Sequence, residues 1–186
     1  DRPQTAMAGF PMCPACERDY RDPANRRFHA EPIACPVCGP KLTVVWRREE
    51  AGADPSGGAS LHGGEPTVPS PIAEIVAAIR AGMIVAVKGI GGFHLMCDAR
   101  SETAVAELRR RKIRDAKPFA VMVANPASLD GLAVAGAEER KLFLSPAAPI
   151  VVMDAVAGTL ASGVAPGLGS IAVMRAYAPL HHQIFW

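Results

Sequence analysis

The chain has 186 residues, 49% of them hydrophobic and 5% aromatic, with a formal net charge of +2. Its apolar content is enough to bury a core and excludes global disorder, while so few aromatics argue against a stacking platform for single-stranded nucleic acid, and any basic character must be local. No apolar run reaches the roughly 18 residues that cross a bilayer, and residues 1–10 carry neither an apolar leader nor an initiator Met, so the chain reads as a piece of something longer.

Residues 1–46 read as a metal-stapled module. Four of the five cysteines form two knuckles, Cys13-Pro-Ala-Cys16 and Cys35-Pro-Val-Cys38, separated by 18 residues. A CxxC turn presents two sulfurs to one side of an ion, and a return after about 15–20 residues is the spacing of a tetrahedral zinc site. Paired disulfides suit a secreted protein, and a redox CxxC belongs beside a βαβ unit, so zinc is the preferred reading. Four thiolates leave no open coordination position, which makes Zn2+ structural. His29 lies between the knuckles but is not needed as a ligand. Arg18, Arg21, Arg26 and Arg27 are offset by Glu17, Asp19, Asp22 and Glu31, which is weak support for nucleic-acid binding.

Residues 47–70 hold five Gly and three Pro without apolar periodicity and read as a flexible linker. Ser70 and Pro71 then form an N-cap and N1 pair. Ile72, Ile75, Val76 and Ile79 follow at i, i+3, i+4 and i+7, the face of a helix that Gly82 terminates. Residues 83–87 predict a buried strand. Lys88, Gly89, Ile90, Gly91 and Gly92 make a turn into a second extended stretch, Phe93 to Cys97. The turn fits a hairpin and a ligand-approaching loop equally well, because glycine lets a backbone come close to either. Cys97 reads as a small buried hydrophobe.

Ser101 caps the next predicted helix, with Ala104, Val105 and Leu108 facing inward. That helix runs into RRRKIRDAK, residues 109–117, which holds six basic side chains and one acid. Cations at a helix C-terminus complement the macrodipole. So many side by side repel one another, and a polyphosphate is the natural counter-charge. Phe119 to Val123, Ile150 to Met153 and Ile171 to Met174 predict further strands. Residues 126–144 predict helix broken at Gly131 and Gly136, and 155–170 a mobile loop. Pro179 starts a last helix whose adjacent His181 and His182 diverge by about 100° and make a poor chelating pair.

Three stretches carry a family resemblance. FPMCPACERDYRDPANRRFHAEPIACPVCGPKL, VAVKGIGGFHLMCDA with LRRRKIRDAKPFAVMV, and SPAAPIVVM with MRAYAPLHH together resemble the hydrogenase-maturation carbamoyltransferase family (HypF type). The resemblance implies an α/β chain: a small C4 zinc finger followed, over 71–186, by an incomplete YrdC-like twisted open α/β domain. It implies a carbamoyltransferase that spends ATP with Mg2+ on carbamoyl phosphate to form carbamoyl adenylate. The carbamoyl group then passes to the C-terminal cysteine of a HypE-type maturation protein and becomes a cyanide ligand of [NiFe]-hydrogenase. By resemblance Lys112 and Arg114 match the Lys-x-Arg signature of the YrdC-like superfamily and, with Lys117, hold the ATP phosphates. Lys88, Gly89 and Gly91 stand where threonine-using relatives carry a threonine-rich motif, which favours the carbamoyl branch. Ala176 stands where the family usually has proline.

No side-chain nucleophile is implied, because positioning and charge neutralisation do the catalysis. The superfamily's serine-rich nucleotide motif is absent from these residues, so this stretch alone is expected to be inactive. The metal ligands are expected to be Cys13, Cys16, Cys35 and Cys38, and the location cytoplasmic, with no membrane partner. The rival reading is a zinc-ribbon and YrdC-like module that binds double-stranded RNA, a property of the superfamily, without catalysis; near-neutral charge counts against it.

Overall fold

A computed structural model describes residues 2–32, 34–46 and 70–186. Of the predicted linker, 47–70, residues 47–69, His62 among them, lie outside the described residues. The chain divides into two compact units at Leu61 and His62.

In the first unit, 3₁₀ turns at Arg2–Gln4 and Ala6–Gly9 precede helix α1, Pro14–Arg21. Arg2 is buried and bonds the chain end down: Nη1 donates to Glu31 O at 2.5 Å and Nη2 to Phe10 O at 2.7 Å. Two of the module's cations are answered locally, Arg21 by Glu17 and Arg27 by Asp19. His29 is exposed and in the left-handed region, its ring stacked on Tyr20 at 4.9 Å.

In the second unit, α2 spans Pro71–Arg80, capped by Ser70 Oγ accepting from Ala73 N at 3.2 Å. Gly82 follows at φ 78, which glycine adopts without steric cost. Strands β1 (Val85–Lys88) and β2 (Phe93–Met96) form an antiparallel hairpin. The expectation of a buried strand here needs correction: within β1 only Val87 is buried, since two paired strands cover little of each other's faces. Helix α3 (Glu102–Lys112) is capped by Ser101 and buries Ala104, Val105 and Leu108 as the spacing required.

A second, four-stranded sheet has the order β3 (Ala120–Val123), β6 (Ser170–Arg175), β5 (Val151–Ala155), β4 (Ala133–Val134). β3 and β6 run parallel, and the other pairs are antiparallel. Helix α4 (Ala137–Leu144) sends Phe143 into the core beside Leu129, Val105, Val121, Met153 and Val173. Helix α5 (Pro179–Phe185) lies against α2.

Two predicted segments differ from what forms. Residues 126–144 are not one broken helix: a 3₁₀ turn at Pro126–Leu129 and strand β4 come first, and Gly136 is the N-cap of α4. Residues 155–170 are tied into the fold. Ala161 and Val164 are buried, Ser162 N donates to Glu102 Oε1 at 2.7 Å, and Arg109 Nε donates to Gly163 O. Ala176 is also buried, and its N–H donates to Val123 O at 3.2 Å, a bond that proline could not make.

Candidate functional site

The first knuckle is built on a helix end. Cys13 is the N-cap of α1, Pro14 sits at N1, and Cys16 faces inward, 4% exposed. The second is a turn in which Gly39 N donates to Cys35 O at 2.8 Å and Val37 N to Cys35 Sγ at 3.4 Å. These local geometries bring the sulfurs of Cys13, Cys16, Cys35 and Cys38 within 4.8 Å of one another. All four are free thiols, and Cys13 Sγ and Cys35 Sγ lie 4.0 Å apart, twice a disulfide length.

Backbone N–H groups pull two of the sulfurs toward thiolate. The Cys38 and Val37 amides lower the Cys35 thiol to about 6, and the Cys16 amide lowers Cys13. Burial, reinforced by the neighbouring sulfurs, pushes Cys16 up to about 12. Four thiolates packed this closely need a divalent cation among them, and an S4 donor set with tetrahedral spacing suits zinc. His29 is not part of the cluster.

In the second unit the basic stretch sorts itself by partner. Arg109 folds inward. Besides Gly163 O it reaches Arg114 O at 2.6 Å, Asp115 O and Lys117 O at 3.3 Å and Val164 O at 3.4 Å, and lies 4.7 Å above the Phe119 ring. Arg110 and Arg111 both pair with Glu107, whose carboxyl their hydrogen bonds hold down at about 2. Arg114 donates Nε to Lys117 O at 3.0 Å and Nη2 to Pro118 O at 2.7 Å, and stacks 5.2 Å over Phe119. Its Nη1, and the exposed ammonium groups of Lys112 and Lys117, have no partner among the described residues. Lys112, Arg114 and Lys117 thus share one helix end. Ile113 between them takes φ 49, the turn that ends α3.

Lys88, Gly89 and Gly91 occupy the other group, the β1–β2 turn. The turn is a hairpin, closed by Gly89 N donating to Gly92 O at 2.6 Å. Lys88 Nζ lies 5.0 Å over the Phe93 ring. Gly89 is required by contact, because a Cβ there would come 2.9 Å from His94 Cδ2. Gly91 stands in open space. No hydrogen bond or ion pair joins the two groups among the described residues. None of these six residues lines the cavity of about 780 Å³ in this unit, which His94 lines from the hairpin side and Phe119, the ring under Arg114, from the other. Cys97 also lines it, half-buried; burial first, then Asp98, raises its thiol and keeps it neutral, as a small hydrophobe should be.

A cluster not legible in the sequence sits beside the glycine turn. His94 Nε2 and the Tyr177 hydroxyl share a hydrogen bond at 2.7 Å, and the wholly buried His181 packs edge-on to both rings. The sparseness of aromatic residues was the available signal; their separation in the chain concealed it.

Comparison with known proteins agrees with this division. Residues 77–186 match the Sua5/YciO/YrdC family, described as "Telomere recombination", and residues 12–45 match the HypF finger. The chain is 49% identical to "Carbamoyltransferase HypF" of Rhodobacter capsulatus, over 99% of this chain and 22% of that protein. It is 48% identical to the protein of the same name from Rhizobium leguminosarum bv. viciae, over 92% and 26%. It therefore spans about a quarter of the length of these curated relatives.

Among solved structures, it is similar to full-length HypF "in the phosphate- and nucleotide-bound form", with 40% identity and a TM-score of 0.73 over 99% of this chain and 22% of that one. P. abyssi Sua5 complexed with L-threonine, at 22% identity and a TM-score of 0.54 over 61% of this chain and 34% of that one, shares the fold.

Proposed function

We propose, from the premise that the chain belongs to the Sua5/YciO/YrdC family and is homologous over its length to HypF carbamoyltransferases, that it forms the part of such an enzyme in which carbamate, left when carbamoyl phosphate loses its phosphate to water, attacks ATP to give carbamoyl adenylate and pyrophosphate. The observation that carries this reading is the unequal fate of the six cations. Arg109, Arg110 and Arg111 are consumed within the fold. Lys112, Lys117 and the Nη1 edge of Arg114 stay unpaired at one helix end, and Phe119, the ring under Arg114, lines a cavity of about 780 Å³. Two ammonium groups and a guanidinium edge suit a triphosphate that carries Mg2+.

Phosphates held there leave the reacting end to Lys88, Gly89 and Gly91. Carboxyl-type activation of this kind needs no protein nucleophile: the phosphate clamp lowers the barrier by fixing the reactants and neutralising charge on the departing pyrophosphate. The acceptor would be the C-terminal cysteine of a HypE-type maturation protein, which serves cyanide-ligand synthesis for [NiFe]-hydrogenase. In the cysteine module we assign Cys13, Cys16, Cys35 and Cys38 to a structural Zn2+, whose role would be to hold the two knuckles together. Free thiols at a metal cluster suit a reducing compartment, and the cytoplasm is the proposed location.

The test is radiolabelled pyrophosphate exchange into ATP, dependent on carbamoyl phosphate, in the full-length protein that carries this stretch. Lys112→Ala with Arg114→Ala should abolish exchange. Unchanged exchange would remove the phosphate assignment.

A further inference from the structure

Three side chains without a task in this reading converge beside the glycine turn. His94 reaches there from β2, close enough that Gly89 can carry no Cβ, and it lines the cavity. Tyr177, just past β6, holds His94 Nε2 at 2.7 Å. His181, on the first turn of α5, lies with its ring centre 5.0 Å from that of His94 and 4.8 Å from that of Tyr177. One ring nitrogen of His94 is therefore fixed by an orienting hydroxyl. The other, Nδ1, has no partner among the described residues. A histidine held by one nitrogen and open at the other is the arrangement by which proteins aim an imidazole at a ligand.

We propose that His94 is a substrate-contacting residue, whose Nδ1 hydrogen-bonds the neutral, amide-like carbamoyl end of the donor in the cavity that His94 lines while Tyr177 orients the ring. The inference rests on the carbamoyl-adenylation reading and deepens it by naming a residue for the group that distinguishes the substrate.

His181 packs against both rings without lining the cavity. Ala178 N–H donates to its Nδ1 at 3.4 Å, which puts the ring proton on Nε2. That Nε2 is buried and has no hydrogen-bond partner, an arrangement that costs stability unless something fills it. Burial first, then the charges of His94 and His182, push its pKa down, so the ring is neutral near pH 7. Lys112, Arg114 and Lys117 lie at the end of α3, while Lys88 adjoins the glycine turn with its Nζ over the Phe93 ring. Phosphate oxygens suit the three cations of the helix end, and Nδ1 of His94 suits a polar group in the cavity that His94 lines. An amide-like group offers both a donor and an acceptor, so it can match either tautomer of His94.

Two substitutions divide the imidazole between them. Asparagine at 94 places its amide where Nδ1 lies, and glutamine places it where Nε2 meets Tyr177. In the full-length protein, with folding checked by thermal unfolding, His94→Gln should raise the KM for carbamoyl phosphate about tenfold, the worth of one hydrogen bond. His94→Asn should raise it no more than about twofold, and neither should move the KM for ATP. Tyr177→Phe keeps the imidazole but frees it, and should give an increase between those two, which preserves the test if a position-94 variant fails to fold.

The reverse order, with glutamine like wild type and asparagine impaired, would mean that His94 merely ties β2 to Tyr177, and would overturn the proposal. Equal shifts in both KM values, or no shift with Tyr177→Phe, would do so as well. Calorimetric titration with carbamoyl phosphate separates the two levels. Wild-type binding that His94→Gln weakens, without any exchange activity, would remove adenylation and leave the His94 contact standing. Wild-type exchange that all three variants retain would remove the contact and leave adenylation standing.

Discussion

The guanidinium of Arg109 reaches five backbone carbonyls, three on the loop that follows α3 and two at residues 163 and 164. Neighbouring Lys112 carries the same charge and touches none of them. Composition does not separate these two residues, because both are cations in one run of six. Helix phase does not separate them either, since 109 and 112 stand four and seven residues on from Val105; Arg109 meets the 163–164 turn, whereas Lys112 is the last residue of α3 and is exposed. Arg109→Lys should therefore lower the free energy of unfolding by about 1–3 kcal/mol, since one ammonium cannot replace a five-donor fork and leaves carbonyls unpaired. Lys112→Ala should change it by less than about 0.5 kcal/mol. Urea denaturation of the two variants measures both. The sequence shows the basic stretch as one run of cations, but only the folded chain separates its paired members from its unpaired ones.

Helix α3 acts as a clamp at the scale of an element. Its first turn holds Ser162 through Glu102, and its last turn holds Gly163 through Arg109, so one helix pins both sides of the turn at 162–164. That clamping ties the middle of 155–170, rich in glycine and alanine, to α3, where composition suggested a mobile loop. The helix also carries its own pH-dependent term. Hydrogen bonds from Arg110 and Arg111 hold the Glu107 carboxyl at about 2, against an ordinary value of 4.5. The folded state therefore favours the ionised acid, and the stabilisation is complete above pH 4.5 and disappears as pH falls through about 2. Glu107→Gln should flatten the fall in the thermal midpoint over that window; a slope equal to wild type would show that the two pairs add nothing to stability. Strand β4 was missed for an elementary reason. Two residues, Ala133 and Val134, have no periodicity of their own and become a strand only because β5 offers an edge.

On the scale of the whole molecule, the two units rest on different forces. The second has an apolar core formed around Phe143, Leu129 and Val173. In the first, Cys16 is the only buried apolar residue among the described ones, and a module this small depends on its metal cluster. A chelator should therefore abolish amide-exchange protection in residues 2–46 and leave that of 70–186 intact. Equal protection in both units after metal removal would show that the first is stable without zinc. The sequence by itself determined the cysteine cluster, helices α2 and α3 with their caps, and strands β3, β5 and β6. Each of these is written in neighbours a few residues apart, through CxxC spacing, 3.6-residue periodicity or a continuous apolar run. Only the tertiary structure decided which cations stay free, where β4 pairs, and that His94 meets Tyr177 across 83 positions of chain. Those outcomes depend on which distant segments pack together, and such contacts leave no mark in local spacing.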